Sequence, residues 1–238
     1  MERSRNSSVK RNLLMLLLLI SQTINAQTAE IWSCRLQQLY TQGLQEKWPE
    51  LISQMALVKE RDVDLEMILA SARYGYIGML LGRKQKTEAK KELTILTKEL
   101  EILQKQYPTS TRVMSMRAGL VGYRIAINPL KAPFLGPESG RLLDAAAALN
   151  PNCPYVLTEQ GNSLFFRPAL FGGDKNKALD LWQKASQIFA RQGNTCNWYA
   201  VHVRVMVVKA LRDLGLNSEA ETQAAALKQE FVEMEWLK

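Results

Sequence analysis

Histidine is almost missing from this 238-residue chain, which has His202 and no other. That excludes any mechanism built on paired histidines. Cysteine is scarce as well. Cys34, Cys153 and Cys196 are widely spaced and form no CxxC pair, so the chain encodes neither a zinc site nor a disulfide-dense scaffold. HExxH, GxSxG, a Walker loop and a GxGxxG opening a helix are all absent. Nothing positive therefore points to an enzyme, a cofactor or a metal. The net charge of +8 is not gathered into basic clusters interleaved with aromatics, which argues against nucleic acid as a partner.

Long apolar runs are lacking too. Leu13–Ile20 is an unbroken run of eight residues, far short of the roughly 20 needed to span a bilayer as a helix. Its setting gives it a meaning. Arg3, Arg5, Lys10 and Arg11 precede it, polar Ser21-Gln22-Thr23 follows, and Ala26 supplies a small residue for cleavage. Residues 1–26 thus read as a secretory signal peptide, leaving residues 27–238 as one exported domain, periplasmic or secreted. Gln27 stands where a lipoprotein would begin with cysteine, and no later stretch is long enough to span a membrane.

What is present is helical periodicity. Strand signals are sparse, and Gly and Pro punctuate long segments with apolar residues at helical spacing. The pattern predicts ten helices, at 28–43, 45–59, 63–82, 86–106, 109–127, 138–149, 153–167, 174–192, 197–214 and 217–236. Three even-numbered helices share one template at offsets 0, 4, 7 and 11: Ala89-Leu93-Leu96-Leu100, Ala178-Trp182-Ala185-Phe189 and Ala220-Ala224-Leu227-Phe231. Those offsets lie on one helix face. Helix six keeps part of the template as Leu142, Ala146 and Leu149. Gly82, Gly173 and Gly215 precede the alanines, where a turn with positive φ is expected. In the odd helices Gly75, Ala118 and Gly161 recur every 43 residues, as do Pro108, Pro151 and Asn194 between pairs. Glycine inside a helix costs about 1 kcal/mol against alanine, so close packing is its natural reason.

AAALNPNCPYVLTEQGNSL at 146–164, the Ala178-Trp182-Ala185 pattern and the Gly-to-Ala turns resemble tetratricopeptide (TPR) repeats. YGYIGMLLGRKQKTEAKKEL and LFFRPALFGGDKNKAL are similar to uncharacterised exported TPR proteins of Gram-negative bacteria, some of them associated with transporters. The resemblance implies an all-α solenoid of about five antiparallel helix pairs, a TPR-like superhelix. It also implies that Tyr76 and Asn162 face a concave binding surface. The period departs from the family, at 43 residues here against about 34, and HEAT-like pairs are the structural alternative. In such an array Cys153 and Cys196 open the first helices of adjacent pairs, which makes theirs the one disulfide worth weighing. Neighbouring helix axes stand roughly 8–10 Å apart while a disulfide wants Cα atoms within about 7 Å, so buried or capped thiols are the expectation.

Two long connections stand out: residues 128–137 (NPLKAPFLGP) and 168–173 (PALFGG). Each carries Pro, Phe and Gly before a capping residue, Ser139 or Asp174. Each also follows a basic or aromatic helix end, Tyr123-Arg124 in one and Phe165-Phe166-Arg167 in the other. A solenoid would set both loops on one edge, where Lys131, Phe134, Arg167 and Phe171 could receive an acidic peptide or a small anion. Inward-pointing Phe and Pro that merely plug the edge is the competing reading. The sequence supports an exported, non-catalytic scaffold that binds a protein, peptide or small solute, or else a solute-handling partner of a membrane transporter. The mature protein recovered from the cell envelope or medium is expected to begin at or near Gln27. N-terminal sequencing checks this, and an intact Met1 would reject it.

Overall fold

The computed structural model describes residues 29–193 and 196–237 of the chain. The proposed signal segment and Asn194 lie outside these. Ten α-helices occupy most of the described residues: α1 (29–41), α2 (Trp48–Ala56), α3 (Val63–Gly82), α4 (Lys86–Gln106), α5 (Thr111–Ile127), α6 (Ala132–Leu149), α7 (Pro154–Phe166), α8 (Lys175–Arg191), α9 (Trp198–Asp213) and α10 (Asn217–Glu230). Short 3₁₀ turns precede α2, α6 and α8, and a fourth at Met234–Trp236 follows α10. Side-chain caps fix several starts. Asp62 accepts from Leu65 N, Ser110 from Val113 N, Asp174 from Lys177 N, and Asn197 from both Tyr199 N and Ala200 N. Each satisfies an amide that the helix itself cannot.

The helices pair as α3–α4, α5–α6, α7–α8 and α9–α10. Ala89, Ala178 and Ala220 are fully buried, as are Leu96, Leu100, Trp182, Ala185, Ala224 and Leu227. A small residue at the first template position is what lets a neighbouring helix approach. The odd helices supply the reciprocal surface. A Cβ on Gly75 would run into the Trp48 and Trp198 rings, and one on Gly161 would meet the Trp182 indole. Trp182 in turn donates from Nε1 to Thr158 O at 3.1 Å.

Several local expectations need correction. Helix α6 begins at Ala132, not at 138, so most of the supposed 128–137 loop is helix. Pro133 sits in the first turn, where no amide partner is lost, and Pro137 gives up a single bond one turn later. Ser139 is consequently no cap; it is buried inside α6 and donates to Ala118 O at 3.1 Å. The buried face of α6 is Ser139, Leu143 and Ala146, with Leu149 exposed. Of the three turn glycines only Gly215 takes positive φ. Lys84 does so after Gly82, and Gly172 does so beside Gly173. Helix α10 ends at Glu230, short of 236.

The odd helices run in one direction. Arg112 Nη2 reaches Met67 O and Tyr123 Oη reaches Tyr74 O, so α5 lies parallel to α3. Arg112 lies over Tyr155, 4.6 Å from its ring centroid, and Gly119 faces Glu159, which sets α7 parallel to α5. Tyr199 bonds Glu159, so α9 joins α7. An array in which each pair touches only its neighbours would leave α1 far from α9. Here they are in contact. Cys34 and Cys196 form a disulfide, and Cys153 is a buried free thiol. The weighed pairing of Cys153 with Cys196 is therefore replaced by one joining residues 162 positions apart. Cys153 instead packs under α6 with Ala146 and Val156.

A loop that long makes the disulfide a strong restraint on the unfolded chain, about 5 kcal/mol on the chain-entropy scale. Replacing Cys34 and Cys196 by serine is expected to lower unfolding free energy by about 2–5 kcal/mol in urea titrations, while Cys153→Ser leaves the cross-linked Cys34–Cys196 peptide intact on non-reducing mapping. A cross-linked peptide containing Cys153 would contradict the assignment.

Candidate functional site

Where α3, α5, α7 and α9 converge, an acid is buried among tyrosines. Glu159 is the one charged residue of α7 and is 3% exposed. Its Oε1 accepts from Tyr74 Oη at 2.7 Å and from Tyr199 Oη at 2.5 Å, and its Oε2 accepts from Asn162 Nδ2 at 3.2 Å. Burial pushes its carboxyl above the usual glutamate range despite these donors, and burial together with Glu159 raises Tyr74 and Tyr199. Tyr123 packs on Tyr74 with ring centroids 4.8 Å apart. Gly119 is required here, because any side chain would overlap Tyr74 Oη and Glu159. The cluster binds four helices to one another and leaves no room for a substrate.

A second polar seam joins α1 to α9. Beside the disulfide, Ser33 Oγ donates to Cys196 O, Asn197 N donates to Gln37 Oε1 at 2.6 Å, and Tyr40 Oη lies 2.9 Å from His202 Nδ1. Trp236 Nε1 donates to Thr41 O at 2.7 Å, which ties the chain after α10 to the end of α1. Tyr40, Trp198, Tyr199 and Trp236 surround this seam with ring contacts.

The proposed site residues separate into groups. Tyr123 and Asn162 belong to the buried centre. Arg124 turns to Thr97 Oγ1 at 3.3 Å, and Arg167 to Ser163 Oγ at 2.7 Å. Tyr76 lines a surface groove of about 370 Å³ with Pro49, Ile52, Arg73 and Glu92. Arg73 there is neutralised by Glu92 at 2.8 Å and Glu99 at 3.1 Å. Lys131, Phe134 and Phe171 are exposed. The parallel register of α5 and α7 carries both following connections to the same end of the bundle. At that end Leu130, Phe134, Phe166, Leu170 and Phe171 are between 66% and 89% exposed. Lys175 and Lys209 sit 5.3 and 5.5 Å from the neighbouring Phe165 ring.

A second cavity, of about 310 Å³, opens at the opposite end. Residues of α1, α3, α5 and α7 and the start of α9 all contribute to its wall, among them Ser33, Asp64, Arg112, Tyr155 and Trp198. Sequence reasoning missed it because its walls are near one another only once α1 meets α9. The buried centre did leave a signal: a lone acid inside an otherwise uncharged helix. Among the described residues no group of three or more His, Cys, Asp or Glu side chains could hold a metal ion, and no helix is long and apolar enough to cross a membrane.

Burial holds His202 down to about 4, from an ordinary value of 6.5. Between these pH values the unfolded chain binds a proton that the folded state refuses, so stability is lost as pH falls from 6.5 towards 4. The loss amounts to about 3 kcal/mol. In urea titrations at pH 7 and pH 4, His202→Asn is expected to show a smaller acid-induced drop than the wild type; an equal drop would exclude His202 as the cause.

No family model matches the sequence, and no curated protein is similar to it. Among solved structures, the HusA haemophore from Porphyromonas gingivalis is similar in fold. Its TM-score is 0.64 at 22% sequence identity, covering 79% of this chain and 94% of that one, a likeness in helical architecture.

Proposed function

We propose that this chain is an exported binding protein, not a catalyst, whose ligand docks on the apolar end formed by the α5–α6 and α7–α8 connections. The carrying observation is the five large apolar side chains exposed there. Folding gains nothing from leaving Leu130, Phe134, Phe166, Leu170 and Phe171 in water, and exposed apolar side chains gathered at one end of a molecule mark a binding surface. Lys131 and Arg167 stand beside them and add positive charge. A flat apolar molecule bearing carboxylates, of the haem type, suits both features. The likeness of the fold to a haemophore supports the same class of ligand. His202 lies in the α1–α9 seam, so apolar contact, not histidine ligation, would supply the affinity.

On this reading the paired helices are a TPR-like superhelix wound tightly enough for its first helix to meet its ninth. Tyr123 and Asn162 then hold the framework, and Phe134, Phe171, Lys131 and Arg167 meet the ligand. Export by way of residues 1–26 would place the protein where such cargo is collected, and a transporter would be its natural recipient. A peptide or protein partner on the same surface is the second reading, favoured by how far Leu130 and Leu170 project.

Titration with haem, followed by absorbance, tests the proposal. Phe134→Ser with Phe171→Ser is expected to weaken binding by at least about tenfold without lowering thermal stability, since each ring returns roughly 1.5–3 kcal/mol when covered. Lys131→Ala with Arg167→Ala is expected to weaken it less and to reduce its salt dependence. Absence of saturable haem binding, or affinity unchanged in the phenylalanine pair, would reject the reading.

A further inference from the structure

The cavity at the opposite end has a charge pattern the fold does not use. Arg112 projects from the first turn of α5 and lies over Tyr155. Among the described residues its one hydrogen bond is a long one, from Nη2 to Met67 O at 3.5 Å, and its buried Nε has no acceptor. Among the described residues it has no carboxylate within ion-pair distance. This contrasts with Arg73, which holds two. Burying a guanidinium nitrogen without an acceptor is unfavourable unless something supplies one. Asp64 and Glu30 line the same cavity and are exposed, and neither pairs with Arg112 or with any other described cation. One positive and two negative groups thus share a small space without neutralising one another.

We infer that this cavity binds a small zwitterion of the free amino acid class. Its carboxylate would be received by Arg112 and its ammonium by Asp64 and Glu30, with its side chain against Ile68, Tyr155 and Trp198. A purely anionic ligand would meet two like charges, and a purely cationic one would leave the Arg112 nitrogen unsatisfied. A ligand carrying both charges answers all three groups. At about 310 Å³ the cavity lies at the small end of ligand sites, which suits a molecule of that size. Three contacts tie its walls together. Trp198 Nε1 donates to Ser71 Oγ at 3.1 Å, Asn197 Nδ2 to Tyr155 Oη at 3.4 Å, and Cys196, on the rim, is held by the disulfide. The site is separate from the apolar end, and neither depends on the other.

The experiment is a thermal-shift screen of the common free amino acids against the disulfide-bonded protein, followed by calorimetry on the best binder and two analogues. One analogue keeps the carboxylate and lacks the ammonium; the other keeps the ammonium and lacks the carboxylate. At least one amino acid is expected to bind, with each analogue weaker by about tenfold or more. Arg112→Gln is expected to abolish the advantage of the amino acid over the amine. Asp64→Asn, a change at an exposed position that leaves the core untouched, is expected to shrink its advantage over the acid. Phe134→Ser with Phe171→Ser should leave the affinity unchanged. The inference falls if no amino acid binds, if the acid alone binds as tightly as the amino acid, or if affinity survives in both Arg112→Gln and Asp64→Asn.

Discussion

The contact between α1 and α9 is the restraint on which the rest of the molecule depends. Helix pairs stacked one on the next satisfy their apolar faces locally, and nothing in that local rule brings the first helix to the ninth. Here a disulfide, three hydrogen bonds that join Ser33 to Cys196, Gln37 to Asn197 and Tyr40 to His202, and a layer of aromatic rings hold the two together across about 160 residues. The odd helices have one common direction, and the seam closes their shared interior. Trp198 then presses on Gly75 of α3, and Tyr199 reaches Glu159 of α7.

That shared interior explains why the inner surface is not an open groove. Tyr74, Tyr123, Tyr199 and Glu159 fill it with a hydrogen-bonded cluster whose acid is held protonated more readily than in water. A buried polar network of this kind carries a penalty if any member is lost, so it specifies one arrangement of four helices. The room left for a ligand is thereby at the two ends, where the two proposed sites lie. One end presents apolar rings and lysines, the other a small cavity whose Arg112, Asp64 and Glu30 form no ion pair among the described residues. The asymmetry follows from parallel odd helices, which put all their C-terminal connections at one end and all their N-terminal turns at the other.

Much of the fold was legible because helix formation and pairwise packing are short-range. The Ala89, Ala178 and Ala220 template marked the buried faces of α4, α8 and α10 through a spacing that any amphipathic helix must show. Gly75 and Gly161 were recognisable as close contacts, although their partners Trp48, Trp198 and Trp182 were not. The reading failed where the same residues serve two purposes. Pro133 and Pro137 read as a loop, yet proline also suits the first turn of a helix, where α6 places Pro133. Tyr123 and Asn162 meet the buried centre through Tyr74 and Glu159, partners that no local pattern displays. Phe134 and Phe171 were found in the sequence as a loop pair. Their exposure, on which the proposed binding surface rests, emerged only from the folded chain.

The sequence by itself determined that the described chain is helical, where most of its helices begin and end, and which faces they bury. Those properties rest on hydrogen bonds and side-chain contacts within a few turns, which periodicity records directly. Tertiary structure alone decided that Cys196 pairs with Cys34 and not Cys153, that Glu159 lies at the centre, and that Arg112 lines a cavity with no carboxylate paired to it among the described residues. Each of these depends on groups that lie on different helices, about 40 to 160 residues apart in the chain. No local pattern encodes a distance of that kind, because it is the sum of every helix-packing angle in between.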